Sequence, residues 1–254
     1  MTAGADVVQV WLVPDHRSGP ALAALFAVLD PAERQRAEAY RSADDRRRFV
    51  VAHGAVRHIV AGRLGAPADL IRWERGPHGK PELAGTWTGA QVNLSHSDEV
   101  SMVAVTAVRR VGVDVQRVLP RIDAAAMASR YFPPEEAGYV RAARQAEGRA
   151  DRFARLWARK EALVKAHGGR LTQGLRIPVG DADAPVPDRP DDAWARGYRI
   201  ADVPAPHGFR AAVALSGPGT FLVDRHRWTW PGPAPDGRNS RPGPRAPIPP
   251  EESR

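Results

Sequence analysis

The 254-residue chain contains no cysteine. That absence excludes disulfides, thiolate zinc sites, iron–sulfur clusters and a cysteine nucleophile, so any metal must be held by oxygen or imidazole. No apolar run approaches the roughly 20 residues of a membrane-spanning helix. The opening stretch, MTAGADVVQVWLVPDHR, lacks the basic segment and long apolar core of a signal peptide. A cytoplasmic setting with no membrane attachment is therefore expected. Acidic residues are outnumbered: 29 Asp and Glu face 37 Lys and Arg, a formal net charge of +8. Such an excess attracts anions, whether nucleic acid, phosphorylated ligands or an acidic partner protein, without choosing among them. The hydrophobic share of 43% is ordinary and sufficient for a core.

The length accommodates one large domain or two of about 100–130 residues. Residues 7–13 read as a strand and 20–29 as a helix. Asp30-Pro31 starts a further helix, with aspartate as cap and proline at the first helical position. An apolar helical pattern from Phe49 ends at Gly65. Residues 91–95, 101–108 and 111–116 are strand-like, and the last two predict a hairpin turning near Arg109-Arg110. In the second half, helical stretches over 123–132, from Pro133-Pro134 and over 151–167 precede three closing strands within 197–203, 208–216 and 220–228. Helices followed by strands in each half predict an α+β protein of two similar lobes in a pseudo-twofold plan, although no sequence repeat marks it. The expected boundaries are 1–110, 111–229 and a Pro-, Gly- and Arg-rich disordered tail over 230–254. Residues 181–192 read as a surface loop.

Four short segments carry polar groups in positions suited to chemistry. In VGVDVQRV (111–118), strand alternation sends Val111, Val113 and Val115 to one face. Asp114 and Gln116 fall on the other, roughly 7 Å apart by strand rise. The pair reads either as the polar face of a half-exposed strand or as two oxygen donors converging on a cation. In WARKEALVKAHGG (157–169), Glu161 lies one turn past Trp157 and Lys165 one turn further. They read either as an i,i+4 ion pair or as a metal ligand followed by a phosphate-binding cation. QVNLSHSDEV (91–100) leads a strand into Asn93, Ser95, His96 and Ser97, a turn that suits phosphate oxygens. HGKPEL (78–83) holds Lys80 in a Gly-Lys-Pro turn; it is not a P-loop, which requires G-x-x-x-x-G-K-[ST].

In this order and spacing the four segments resemble the 4′-phosphopantetheinyl transferases, in their larger, two-lobed Sfp type. That family carries a GKP turn, an N-[LI]-S-H-S segment, a G-[IV]-D-[IV]-E strand and a W-x-x-K-E-[AS]-x-x-K-x-x-G helix. They stand here at Gly79-Lys80-Pro81, Asn93 to Ser97, Gly112 to Gln116 and Trp157 to Gly168. The resemblance spans about residues 7–225. It implies transfer of the phosphopantetheine arm of coenzyme A to a serine of an apo acyl or peptidyl carrier protein, often in secondary metabolism. Adenosine 3′,5′-bisphosphate is the by-product and Mg2+ the implied cofactor. Carried over by position, Asp114, Gln116 and Glu161 are implied metal ligands, and Glu161, Lys165 and His96 implied catalytic residues. Arg41, Arg48, Lys80, Pro81, Ser95, His96 and Lys165 are implied coenzyme contacts, with Arg36 a further contact for the 3′-phosphate. Arg121, Arg130 and Arg141 form a candidate carrier-docking surface. The family implies a monomer with its active site at the interface of the two lobes. Gln116 departs from the family's Glu, so a neutral amide stands where a carboxylate is usual. Two other readings stay open: a catalytically silent member of the family, and a basic nucleic-acid-binding module, whose affinity falls steeply with salt.

Overall fold

The computed structural model describes residues 6–15, 19–76, 79–85, 90–107, 109–180, 185–186 and 194–230. The Pro-rich tail beyond Trp230, most of the expected loop 181–192, and Pro77 and His78 of the Gly-Lys-Pro turn lie outside them.

The architecture is α+β and is built twice. Strand β1 (Asp6–Pro14) is followed by two short helices, α1 (Gly19–Ala27) and α2 (Pro31–Glu38), and then by the 22-residue α3 (Ala43–Leu64). After a 3-10 turn, β2 (Trp73–Arg75) and β3 (Pro81–Leu83) form a small hairpin, and β4 (Gln91–Ser97) and β5 (Val100–Thr106) a larger one. The second half restates the plan. Strand β6 (Val111–Arg117) leads into the short helices α4 (Ala124–Tyr131) and α5 (Pro134–Arg141) and the 22-residue α6 (Ala146–His167). A brief α7 (Leu171–Gly174) and strands β7 (Tyr198–Val203) and β8 (Phe209–Ser216) follow. In each half the first strand pairs antiparallel with the last, and the last with the one before it: β1–β5–β4 and β6–β8–β7.

Local chemistry explains the helix limits. Asp30 caps α2 in a reciprocal box with Glu33, ahead of Pro31. Both long helices stop at glycines in the left-handed region, Gly65 at φ 65° and Gly168 at φ 84°, a conformation that a Cβ disfavours.

Two strand expectations are corrected. Strands β5 and β6 do not form a hairpin; β5 pairs with β4 and β1, whereas β6 pairs with β8. Arg109 and Arg110 thus pass between sheets, and the tight turn falls at Asp98-Glu99, where Asp98 adopts φ 49°. The last strand, β9 (Phe221–Arg227), does not close the second sheet. It runs parallel to β1 at the edge of the first, from Asp6↔Phe221 to Leu12↔Arg227.

Helices cover one face of each sheet and the two remaining faces meet. Val8, Val10, Met102 and Ala104 of the first sheet form one apolar cluster with Val111, Val113, Val115 and Val213 of the second. The odd-numbered residues of β6 therefore enter this inter-sheet core, and its even-numbered residues face α6.

Candidate active site

Where the sheets meet, two edge strands lie side by side without a backbone ladder. Strand β4 ends the first sheet and β6 ends the second. Asn93 Oδ1 accepts the Val113 N–H at 2.8 Å, Ser95 Oγ that of Val115 at 3.3 Å, and Ser97 Oγ that of Arg117 at 3.1 Å. The interval is 20 residues in each case, so the strands run parallel, with side chains of one replacing the carbonyls a neighbour would offer. The free N–H groups of an edge strand are thereby satisfied inside the protein. The N-L-S-H-S segment is wholly strand, and the expected turn begins only after it.

This seam positions Asp114, which faces α6. Its Oδ1 accepts from Ser95 Oγ at 2.7 Å and from Lys165 Nζ at 2.5 Å, and Lys165 also reaches Ser95 Oγ at 3.0 Å. Asp114 is only 4% exposed, and its Oδ2 is buried with no hydrogen-bond partner. Burial pushes its pKa up, opposed by Lys165, Ser95 and the Val115 N–H. Glu161, half-buried one turn before Lys165, is also pushed up: first by burial, then by the charge of Asp114, with Lys165 opposing. Two carboxyls that resist ionisation together, beside an oxygen with no partner, form an arrangement that a cation would relieve.

Gly112 brings the helix this close. A Cβ there would lie 2.1 Å from the Ala162 carbonyl oxygen and 2.3 Å from the Ala166 nitrogen, so α6 rests on bare strand backbone. Glu161 and Lys165 flank Ala162 on that contact.

A group of basic side chains surrounds this centre. His96, among the exposed residues, has its pKa lowered by desolvation in the crevice, and then by the charges of His53, Lys165 and Arg36. His53 joins them from α3: its Nδ1 lies 3.0 Å from Glu33 Oε1 and its ring stacks on Phe49, over which Arg36 also lies. No motif singles out His53; only the packing of α3 against α2 and β4 reveals it. Lys80 reaches the start of β6 and donates to the Val111 carbonyl at 3.0 Å, with its methylenes against Gly168. Burial lowers its pKa to about 8, with Glu82 opposing and Arg110 assisting.

Other residues named from the sequence make local contacts or face solvent. Pro81 opens β3 and is exposed, and Arg41 is exposed just before α3. Arg48 bonds to Asp45 on its own helix at 3.3 Å. Gln116 shares the face of Asp114, but its Nε2 donates to the Arg117 carbonyl at 3.2 Å. Gln116 lines a cleft of about 160 Å³ with Met127, Phe153 and Trp157. Among the described residues, no group of three or more His, Cys, Asp or Glu side chains is placed to hold a metal. Two carboxylates and an amide nonetheless suit a hard divalent cation that completes its shell with phosphate and water, and the unpartnered Asp114 oxygen fits that use.

Comparison with known proteins gives a consistent picture. Residues 110–203 match the family model of the 4′-phosphopantetheinyl transferase superfamily, and residues 16–108 match that of the 4′-phosphopantetheinyl transferase N-terminal region. The chain is 30% identical over 220 residues to the 4′-phosphopantetheinyl transferase HetI of Nostoc, covering 85% of this chain and 91% of that protein. It is 22% identical over 203 residues to the 4′-phosphopantetheinyl transferase Sfp of Bacillus subtilis, 76% of this chain and 84% of that one. A relative in Xenopus laevis, the L-aminoadipate-semialdehyde dehydrogenase-phosphopantetheinyl transferase, is 30% identical over 157 residues, 58% of this chain and 52% of its own length.

Proposed function

Because the chain belongs to the 4′-phosphopantetheinyl transferase superfamily, we propose that it transfers the 4′-phosphopantetheine arm of coenzyme A to a serine hydroxyl of an apo acyl or peptidyl carrier protein, releasing adenosine 3′,5′-bisphosphate. The convergence of Asp114 from β6, Glu161 and Lys165 from α6, and Ser95 from β4 carries this reading.

In it, the serine oxygen forms a bond to the pantetheine-side phosphorus of the pyrophosphate, and the bond from that phosphorus to the bisphosphate oxygen breaks. The proton leaves the serine for the Glu161 carboxylate, directly or through one water. Burial raises the pKa of Glu161 above the ordinary carboxylate range, which makes it a stronger proton acceptor than a solvent-exposed glutamate. Lys165 exchanges Asp114 for the pyrophosphate, and Ser95 and His96 add contacts there. Arg36, Arg41, Arg48, Lys80 and the neighbouring Pro81 serve the nucleotide end. Asp114 and Glu161, with Gln116, would hold Mg2+, which when bound supplies charge neutralisation on the pyrophosphate. Phosphoryl transfer needs alignment and neutralised charge more than covalent help, and this cluster supplies both. The exposed Arg121, Arg130 and Arg141 around α4 and α5 form the carrier-docking surface in this reading. The protein acts as a cytoplasmic monomer, each chain supplying both sides of the site.

Gln116 favours one competing reading, a silent family member that binds carriers without modifying them, because a neutral amide stands where the family has a carboxylate. Incubation with coenzyme A, magnesium and several apo carrier proteins separates the two. A phosphopantetheine mass gain on a carrier is expected; its absence across all of them favours the silent binder.

A further inference from the structure

Helix α6 carries two buried cations immediately before Glu161. Arg159 is 5% exposed and grips Asp202 of β7 with Nε and Nη2, both at 2.7 Å; its Nη1 reaches the carbonyls of Val179 and Gly180 at 3.0 and 2.8 Å. Lys160 is fully buried. Its Nζ lies 2.6 Å from Glu136 Oε2 of α5, donates to the Ile177 carbonyl at 2.5 Å, and sits 4.9 Å from the centre of the Phe132 ring. Glu136 Oε1 in turn accepts the Val179 N–H at 2.5 Å.

A buried ion pair is a poor source of stability, since well-packed apolar side chains of similar volume serve as well or better. Its specific property is intolerance of misalignment: a small displacement leaves a charge buried without a partner. Arg159, Lys160 and Glu161 leave the helix about 100° apart in succession. Arg159 is fixed to β7 and Lys160 to α5, so α6 cannot roll in either direction without breaking one grip. A roll of about 10° carries a carboxylate some 6 Å from the helix axis by about 1 Å. A misplacement of that size costs on the order of 100-fold in rate where geometry governs the chemistry.

We infer that the Lys160–Glu136 pair is a positioning device, setting the rotation of α6 so that Glu161 is aimed at the serine hydroxyl. This rests on the transferase reading above. The test is the double variant Lys160→Met/Glu136→Gln, which removes both charges while leaving an acceptor for the Val179 N–H and an unbranched chain against Phe132. Steady-state transfer kinetics and thermal melting are recorded beside the wild type. The expected result is a melting midpoint within a few degrees of wild type, a KM for coenzyme A within about threefold, and a kcat lowered by about tenfold or more. A folded double variant with kcat within about twofold of wild type overturns the positioning role, as does a variant that fails to fold, because either outcome makes the pair structural only. An inactive wild type sinks the transferase reading itself and the positioning role with it; an active wild type matched by its variant sinks the positioning role alone.

Discussion

At the scale of single residues, the surroundings of Glu161 make its charge unfavourable while the proposed role as proton acceptor requires it. Because its pKa is raised in the fold, the native state binds the proton more readily than the unfolded chain. Its contribution to stability is thus fully present at acid pH and is lost as pH rises through the raised value. Glu161→Gln is expected to melt no lower than the wild type at neutral pH in the absence of metal, with an advantage that disappears below the ordinary glutamate range. Transfer by the same variant should fall by about 10²–10⁴. Melting curves across pH together with a carrier-modification assay test this, and a variant that melts clearly lower at pH 7 contradicts it. Gln116→Glu should lower the magnesium concentration needed for half-maximal rate, measured by metal titration; a wild type indifferent to metal removes the ion from the scheme. The roles given to Asp114, Glu161 and Lys165 come from the resemblance of their segments to the transferase motifs; strand and helix periodicity by itself leaves an ordinary polar strand face and an i,i+4 ion pair open. His53 and Lys160 were not legible, since a histidine or lysine in a long helix gives no sign of its partner until the surrounding elements pack.

Between elements, the contact of α6 with β6 depends on one missing side chain. Gly112→Ala would drive a methyl into the helix backbone at Ala162 and Ala166, which cannot yield as a side-chain tip can. Overpacking of this kind costs about 1–3 kcal/mol or more. The melting midpoint should drop by about 2–4 °C per kcal/mol, with transfer lost even in the folded fraction. The β4–β6 seam allows a graded test. Ser97 accepts a backbone N–H from exposed Arg117, so Ser97→Ala should cost only about 0.5–1.5 kcal/mol, measured by denaturant unfolding. Ser95 is buried and joins Val115, Asp114 and Lys165, so Ser95→Ala should cost more in both stability and transfer. Equal effects of the two would contradict the seam as described. The long helices were readable in advance from apolar spacing and their glycine stops. The seam was not, because a Ser-x-Ser strand looks the same whether its hydroxyls meet water or a neighbouring backbone.

Across the whole molecule, the repeated plan was foreseen from the order of helices and strands, although no repeated residues announce it. What escaped the sequence was the destination of β9: the pattern Phe221–Arg227 reads as a strand, but pairing partners are set by tertiary packing. Strand β9 occupies the edge of β1, and Trp228 beyond it is 5% exposed in the first lobe's core. A chain ending at Trp230 should fold and transfer, whereas one ending at Gly219 should lose cooperative melting. Circular dichroism of both truncations decides the point.

The parallel pairing of β1 with β9 also bears on how the polypeptide comes off the ribosome. Residues 6–14 emerge well before residues 221–227, so their outer edge stays open until the later segment has been synthesised, while the stretch from 111 to 216 can complete its own sheet in the interval. The lobe begun first is therefore finished last. During translation its exposed β1 edge is the point at which nascent chains are most open to pairing with one another or to capture by chaperones.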